Sequence, residues 1–278
     1  MKRTSKRYPT ALTIAGSDSG GCAGIQADLK TFSAIGVFGA SVITAVTAQN
    51  TQQVRAVHIL PAQIIKEQVE AVLEDILVDV VKIGLLPSPE IIETVAAILG
   101  KYPMLSLIVD PLVISSSGDS LVSTPTSKAL RQYLFQRISL LTPNIPEAEA
   151  LSGVKIESVQ DLHHAAEKLL SQGCEAVLIK GGHLQSAYAN DTLFQAGKKS
   201  LCFSSPTIQT RNLHGTGCTL SSAIASYVAL GNNLENAVRL AKLYITSAIE
   251  TGKEIKTGER YGPLCHFFDP KPLKTIDI

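Results

Sequence analysis

The sequence predicts an α/β protein, one domain with a mostly parallel central sheet and helices on both faces. Short runs rich in Val, Ile and Leu alternate with longer segments whose apolar residues recur at helical spacing. Several of the short runs are apolar on both sides, as strands covered from both faces must be. No charge run, low-complexity stretch or internal repeat divides the 278 residues. A chain of this length can close one large core or two small ones, and the absence of a boundary favours one domain over 1–278.

The elements follow in order. Residues 10–15 form a first strand stopped by Gly16; a glycine-rich loop, 17–24, leads to a helix over 25–35 that Gly36 closes. Residues 39–48 are β-branched and almost wholly apolar, a strand expected to be covered on both faces. Residues 53–60 lack a clean polar face and read as a shorter strand that could lie outside the main sheet. Pro61 opens a helix over 61–76, with Ile64, Ile65, Val69, Val72, Leu73 and Ile76 along one stripe. Strands are then expected at 79–84, 105–109, 139–141 and 176–179, and helices at 89–99, 127–138, 146–151 and 159–172. Three short segments, 189–194, 200–203 and 207–210, precede two long helices over 217–230 and 234–251.

Composition removes several classes of function. A formal net charge of +1 argues against nucleic acid or an anionic membrane as the main partner. Lys2-Arg3 and Lys6-Arg7 are the only basic cluster and read as a flexible leader over 1–9. No apolar run has the length of a membrane span, and 11–15 is too short for a signal peptide. The cysteines, Cys22, Cys174, Cys202, Cys218 and Cys265, are odd in number and contain no Cys-x-x-Cys, which fits a reduced cytoplasmic protein. His163-His164 lacks the Glu of a His-Glu-x-x-His site and reads as a solvated helix face.

In a doubly wound sheet the functional loops gather at the carboxyl ends of the strands. Those ends read Gly16-Ser17-Asp18, Gln49-Asn50, Lys82-Ile83-Gly84, Asp110, Thr142-Pro143-Asn144 and Lys180-Gly181-Gly182-His183. The last such loop is Asn212-Leu213-His214-Gly215-Thr216-Gly217-Cys218, an extended segment turning through two glycines into a long helix. The free N–H groups and positive end of that helix favour an anion. Cys218 falls in its first turn, where a thiol pKa is expected to drop. An ordinary glycine turn beside a small buried cysteine is the alternative. The chain has no Gly-x-x-x-x-Gly-Lys-Ser/Thr, and Gly20, Gly21 and Gly24 do not spell Gly-x-Gly-x-x-Gly, so a phosphate site would have to use the Gly215 turn.

These segments carry a resemblance. Ala15-Gly16-Ser17-Asp18-Ser19-Gly20-Gly21 with Gly24-Ile25-Gln26-Ala27-Asp28, Thr44 to Thr51, Lys82-Ile83-Gly84, Thr142 to Glu147, Lys180 to His183 and His214 to Thr219 occur in the order of the ribokinase-like superfamily. Within it the chain resembles the hydroxymethylpyrimidine/phosphomethylpyrimidine kinases of thiamine biosynthesis, from about residue 11 to 266. The resemblance implies ATP-dependent phosphorylation of 4-amino-5-hydroxymethyl-2-methylpyrimidine, and then of its monophosphate, with ATP and Mg²⁺ as cofactors and a homodimer as the assembly. Pyridoxal/pyridoxine/pyridoxamine kinase activity, and a silent small-molecule-binding protein on the same fold, are the competing readings.

The resemblance also assigns residues. Gly215, Thr216, Gly217 and Cys218 would form the anion hole, with Cys218 as the base that takes the alcohol proton or as a passive lining residue. Gly16, Asp28 and Gln49 would bind the pyrimidine; Asp28 could otherwise be an exposed helix charge. Lys180, Lys242, Thr142 and Asn144 would contact ATP, and Asn144, Glu147 and Asp110 would serve Mg²⁺. Asn144 and Glu147 also have the spacing of a capping box. Two departures stand out. Cys22 replaces a usual glycine, tolerable unless φ there is positive, and Leu85 replaces a frequent Met in a pocket wall.

Overall fold

The computed structural model describes residues 6–112, 124–181 and 187–277. The chain enters through β1 (Lys6–Arg7) and β2 (Thr10–Asp18), returns along α1 (Gly24–Ile35), and hairpins through β3 (Phe38–Gln49) and β4 (Val54–Ile59). Then come α2 (Ala62–Asp75), β5 (Val80–Ile83), α3 (Pro89–Leu99) and β6 (Ser106–Val109). Helix α4 (Thr124–Tyr133) and a 3-10 turn (Phe135–Arg137) lead to β7 (Leu140–Leu141), α5 (Ile145–Ser152), α6 (Val159–Ser171) and β8 (Ala176–Lys180). A second hairpin, β9 (Tyr188–Gln195) and β10 (Leu201–Pro206), precedes α7 (Thr216–Ala229), α8 (Leu234–Gly252) and β11 (Ile276–Asp277).

The main sheet has nine strands in the order β10-β9-β8-β7-β6-β5-β2-β3-β4. From β8 to β3 every pairing is parallel, and the antiparallel β4 and the β9–β10 hairpin close the two ends. Alternation along the strands splits the core in two. Leu12, Ile14, Val81, Ile83, Leu107, Val109, Val177 and Ile179 face the α2–α6 side. Ala11, Val80, Ile108, Leu140, Ala176 and Leu178 face α1, α7 and α8. By the same period, Thr13 and Lys82 point toward the α1/α7 side, where apolar residues would be expected.

Several elements differ from the sequence reading. β2 does not stop at Gly16 but continues to Asp18, with a register shift against β3 between Ala15 and Ser17. The glycine marks a bulge, which reads in sequence as a strand end. β3 is covered mainly around Val42, Thr44 and Ala45, while Val46 is exposed. β4 belongs to the main sheet as its edge, with all six residues exposed. Residues 207–210 form no strand, and the helix expected over 127–138 starts at Thr124, ends at Tyr133 and gives way to the 3-10 turn. Lys6 and Arg7, expected within a flexible leader, are paired: β1 pairs with β11, and Arg7 donates to both oxygens of Asp79 at 2.8 and 2.6 Å. Residues 1–5 lie outside the described residues. His163 and His164 are exposed on α6 as read, with His163 edge-on to Phe194.

His266 shows how burial links this fold to pH. It is 3% exposed and lies 3.0 Å from the Thr219 hydroxyl, and burial pushes its imidazole down to about 4. The folded ring therefore stays neutral while an unfolded chain takes up a proton below about 6.5. Stability from this group is present above that pH and is lost as pH falls toward 4, a total of about 3 kcal/mol. Urea unfolding at pH 7 and pH 4.5 should show this decline, and His266→Gln should lose that part of the slope.

Candidate active site

The turn before α7 is built by exclusion of side chains. Gly215 has φ +88°, and a Cβ there would stand 1.9 Å from the carbonyl oxygen of Cys22. Only glycine permits the glycine-rich loop to lie against the helix start. The Thr216 N–H and hydroxyl both turn back to the Leu213 carbonyl, and Thr219 N–H bonds to Gly215. Among the described residues the N–H groups of Gly217 and Cys218 have no acceptor. Free N–H groups at a helix start are able to take an anion.

A carboxylate and a cation face this turn. Asp110, fully buried at the end of β6, accepts from Lys180 Nζ at 2.8 Å and from the Thr142 hydroxyl at 3.4 Å, both through Oδ1. Among the described residues its Oδ2 is buried without a partner, and a Cβ on Gly217 would lie 3.2 Å from it and 3.5 Å from Lys180 Nζ. Thr142 is fully buried and bonds to Asp110 and to the Val109 carbonyl, so it supports Asp110 and does not face an open site as a nucleotide contact would.

Asp28 is placed differently from expectation. It is fully buried, and each of its oxygens accepts twice: Oδ1 from Ser222 at 2.6 Å and Lys82 at 3.0 Å, Oδ2 from Thr13 at 2.6 Å and Lys82 at 2.8 Å. A carboxylate offers about four such positions, so none is left for a pyrimidine. Asp28 is the counter-ion of Lys82, not a substrate ligand and not an exposed helix charge. Burial alone would lower the Lys82 pKa, but Asp28, with Cys218 and Asp110, outweighs it and holds the ammonium above its usual range.

Cys218 also departs from expectation. Its thiol is 5% exposed and is pushed up to about 11, chiefly by burial and also by the charges of Asp28 and Asp110. Lys82 and the backbone N–H of Gly24 pull the other way. The helix start does not make this cysteine a resting thiolate, because desolvation is the larger effect.

The opposite wall is made by the loop after β2. Asp18 accepts from the backbone N–H of Gly20, Cys22 and Ala23 at 2.8 to 3.0 Å, which fixes the loop; burial would raise its pKa, but His214 and these N–H groups hold the carboxylate below its usual range. His214 Nε2 lies 3.0 Å from Gln49 Nε2 and 3.6 Å from Asp18 Oδ2, joining this loop to the Gly215 turn. Gln49 is half-buried there. Gly16 lies at the bulge beside Leu85, whose Cδ2 would be 3.4 Å from a Cβ. Cys22 is buried and its φ is not positive, which explains why a side chain is tolerated.

Asn144 and Glu147 form a capping box at α5: the Asn144 side chain accepts from Glu147 N–H, and Glu147 accepts from Asn144 N–H, both at 2.8 Å. The Asn144 amide oxygen is thus committed to the cap, while the buried Glu147 charge still bears on Lys180. Lys242 is neither a solvated helix lysine nor an open phosphate contact. It is 8% exposed and donates to Asp191 at 2.7 Å, and Asp191 in turn accepts from Gly181 N–H. Gly182 and His183 lie outside the described residues.

Among the described residues no group of three His, Cys, Asp or Glu side chains could hold a metal ion. Mg²⁺ commonly needs only one or two carboxylates when phosphates and water complete its shell. The unpartnered Oδ2 of Asp110 fits that requirement.

Sequence reasoning gave Lys82, Asp18 and His214 no role. Asp18 two residues before Gly20 was a readable turn signal. The Lys82 pairing was not readable, since its partners lie 54 and more residues away in sequence.

The parallel sheet, its antiparallel ends and the anion turn opposite a strand-end carboxylate define the ribokinase-like fold. The chain belongs to the phosphomethylpyrimidine kinase family, whose model matches residues 18–265. It is 45% identical to the thiamine biosynthetic bifunctional enzyme TH1, chloroplastic, of Arabidopsis thaliana over 96% of this chain and 51% of that one. The chain thus spans about half the length of such bifunctional relatives. The structure of phosphomethylpyrimidine kinase from Clostridium difficile 630 is 50% identical, with a TM-score of 0.78 over 86% of this chain and 99% of that one. Pyridoxal kinase from Staphylococcus aureus with AMP-PCP and pyridoxal is 30% identical, with a TM-score of 0.84 over 98% and 100%.

Gly215→Ala tests the turn. The added methyl meets a backbone carbonyl at an unfavourable φ, so a loss of more than about 2 kcal/mol is expected in urea unfolding. Nucleotide binding measured by calorimetry should disappear with it.

Proposed function

We propose that the protein transfers the γ-phosphoryl group of ATP to the hydroxymethyl oxygen of 4-amino-5-hydroxymethyl-2-methylpyrimidine, and then phosphorylates the monophosphate to the diphosphate. The observation that carries this is the pair of unpartnered N–H groups at Gly217 and Cys218, with Lys180 and Asp110 directed at the same turn. Donors held in place there stabilise charge on the transferring group and need no rearrangement during the reaction.

The residues divide the work. Gly217 and Cys218 N–H take the phosphoryl oxygens, and Lys180 supplies a positive charge beside them. Asp110 would hold Mg²⁺, with Glu147 reaching it through water; the bound cation would screen the phosphates. Gln49, oriented by His214, and the backbone at Gly16 bind the ring. Cys218, once its own proton has gone to solvent, receives the alcohol proton late, as the oxygen–phosphorus bond forms. Lys242 acts through Asp191 on the Gly181 turn. Work in the cytoplasm as a homodimer completes the reading; among the described residues no helix is long and apolar enough to cross a membrane.

Pyridoxal phosphorylation is the second reading, favoured by the coverage of the Staphylococcus aureus enzyme. The higher identity to the phosphomethylpyrimidine kinase supports the pyrimidine. Purified protein with ATP and Mg²⁺ should turn over the pyrimidine alcohol and then its monophosphate; turnover of pyridoxal alone reverses the choice. Cys218→Ala should lower kcat by about 100-fold or more with KM within a few-fold. A kcat near that of the parent protein would leave Cys218 as a lining residue.

A further inference from the structure

Among the described residues the largest polar side chain with no exposure is Lys82, and the chemistry above does not use it. A buried ammonium is costly unless paired and hydrogen-bonded, and replacing such a pair by apolar residues is often neutral or stabilising. Fold stability alone therefore does not account for a lysine in a strand whose neighbours Val80, Val81 and Ile83 are all fully buried.

Its surroundings give the lysine a direction. Asp28, on α1, receives both hydrogen bonds from Lys82 and is held in turn by Thr13 of β2 and Ser222 of α7. Ser222 lies four residues beyond Cys218, one helical turn away on the same face of α7. The Asp28–Lys82 pair therefore lies beneath Cys218. A methyl on Gly84 would come within 3.0 Å of Lys82 Nζ, so the chain there is bare against the ammonium. Around the thiol stand Lys82 from β5, Asp28 from α1, Asp110 from the end of β6, Lys180 from β8 and the Gly24 N–H that opens α1.

We propose that Lys82 is a positioning residue for phosphoryl transfer: locked by Asp28, its ammonium sits under Cys218 and favours the deprotonated sulfur that accepts the alcohol proton. The inference rests on the kinase reading for its consequence. In the step, a bond forms between the substrate oxygen and the γ-phosphorus. The bond from that phosphorus to the β–γ bridging oxygen breaks, ADP leaves, and the alcohol proton passes to the Cys218 sulfur, whose own proton has gone to solvent. Lys82 keeps its protons throughout. Its contribution is charge at a fixed place, and Asp28 moderates that charge.

The two partners should thus act on the sulfur in opposite directions, which a merely structural pair would not do. The test is alkylation of the full chain by iodoacetamide from pH 7 to 11, with labelling of Cys218 followed by peptide mass spectrometry. Lys82→Met is expected to lower the labelling rate of Cys218 at least tenfold at each pH across this range, as a midpoint moved up by a unit or more requires. Asp28→Asn is expected to move it down. Unchanged midpoints, or shifts of the same sign, overturn the proposal. If Lys82→Met does not fold, Asp28→Asn alone decides, an absent or upward shift being the negative result. In turnover, Lys82→Met should lower kcat at least tenfold at constant KM for ATP. Failure of the parent protein to phosphorylate any ring alcohol would remove the kinase reading; the alkylation shifts would still judge Lys82 separately.

Discussion

Asp28 is the point at which four elements are joined. Thr13 comes to it from β2, Lys82 from β5 and Ser222 from α7, while the carboxylate itself rides on α1. With each oxygen accepting twice, the position of α7 relative to the strand ends is set by directional bonds as well as by apolar packing. The start of α7 is where the anion donors lie. An arrangement held only by hydrophobic contact could slide by part of an ångström at little cost; charge-assisted bonds inside a dry layer resist that.

The second constraint is steric. The glycine-rich loop and the turn before α7 meet backbone to backbone at Cys22 and Gly215, and the Asp18 carboxylate gathers three N–H groups so that the loop keeps the shape this contact needs. His214 then connects the same carboxylate to Gln49. The end of β3 and the turn before α7 are in this way linked side chain to side chain, although they lie about 165 residues apart in sequence.

Much of this was legible in the chain. Periodicity and turn residues located the helices and core strands, because apolar spacing is a local property. The Gly215 turn was legible for the same reason: two glycines stand at the start of an apolar helix. Gly16 misled, since a bulge and a strand end carry the same residue. Thr142, Lys242 and Asp28 occupy the expected places but turn their polar atoms to protein partners, a matter of tertiary pairing that no local pattern encodes. Cys218 shows the balance of two effects. The helix start was visible and the depth of burial was not, and burial is the larger.

The edge formed by β4 carries a consequence for how the site behaves. A strand with every residue in water gains its ladder bonds to β3 and almost no apolar burial, so its opening free energy lies well below that of the sheet's centre. Gln49 ends the strand to which it is paired. On the proposed reading, the wall that would meet the organic ring is anchored to an exposed edge strand, and the donors proposed for phosphate sit on a helix start tied into the core. Such a division lets one half of a site yield to differently shaped rings while the reacting geometry stays fixed. Rigidity is concentrated where bonds are made and broken, and compliance where shape is read.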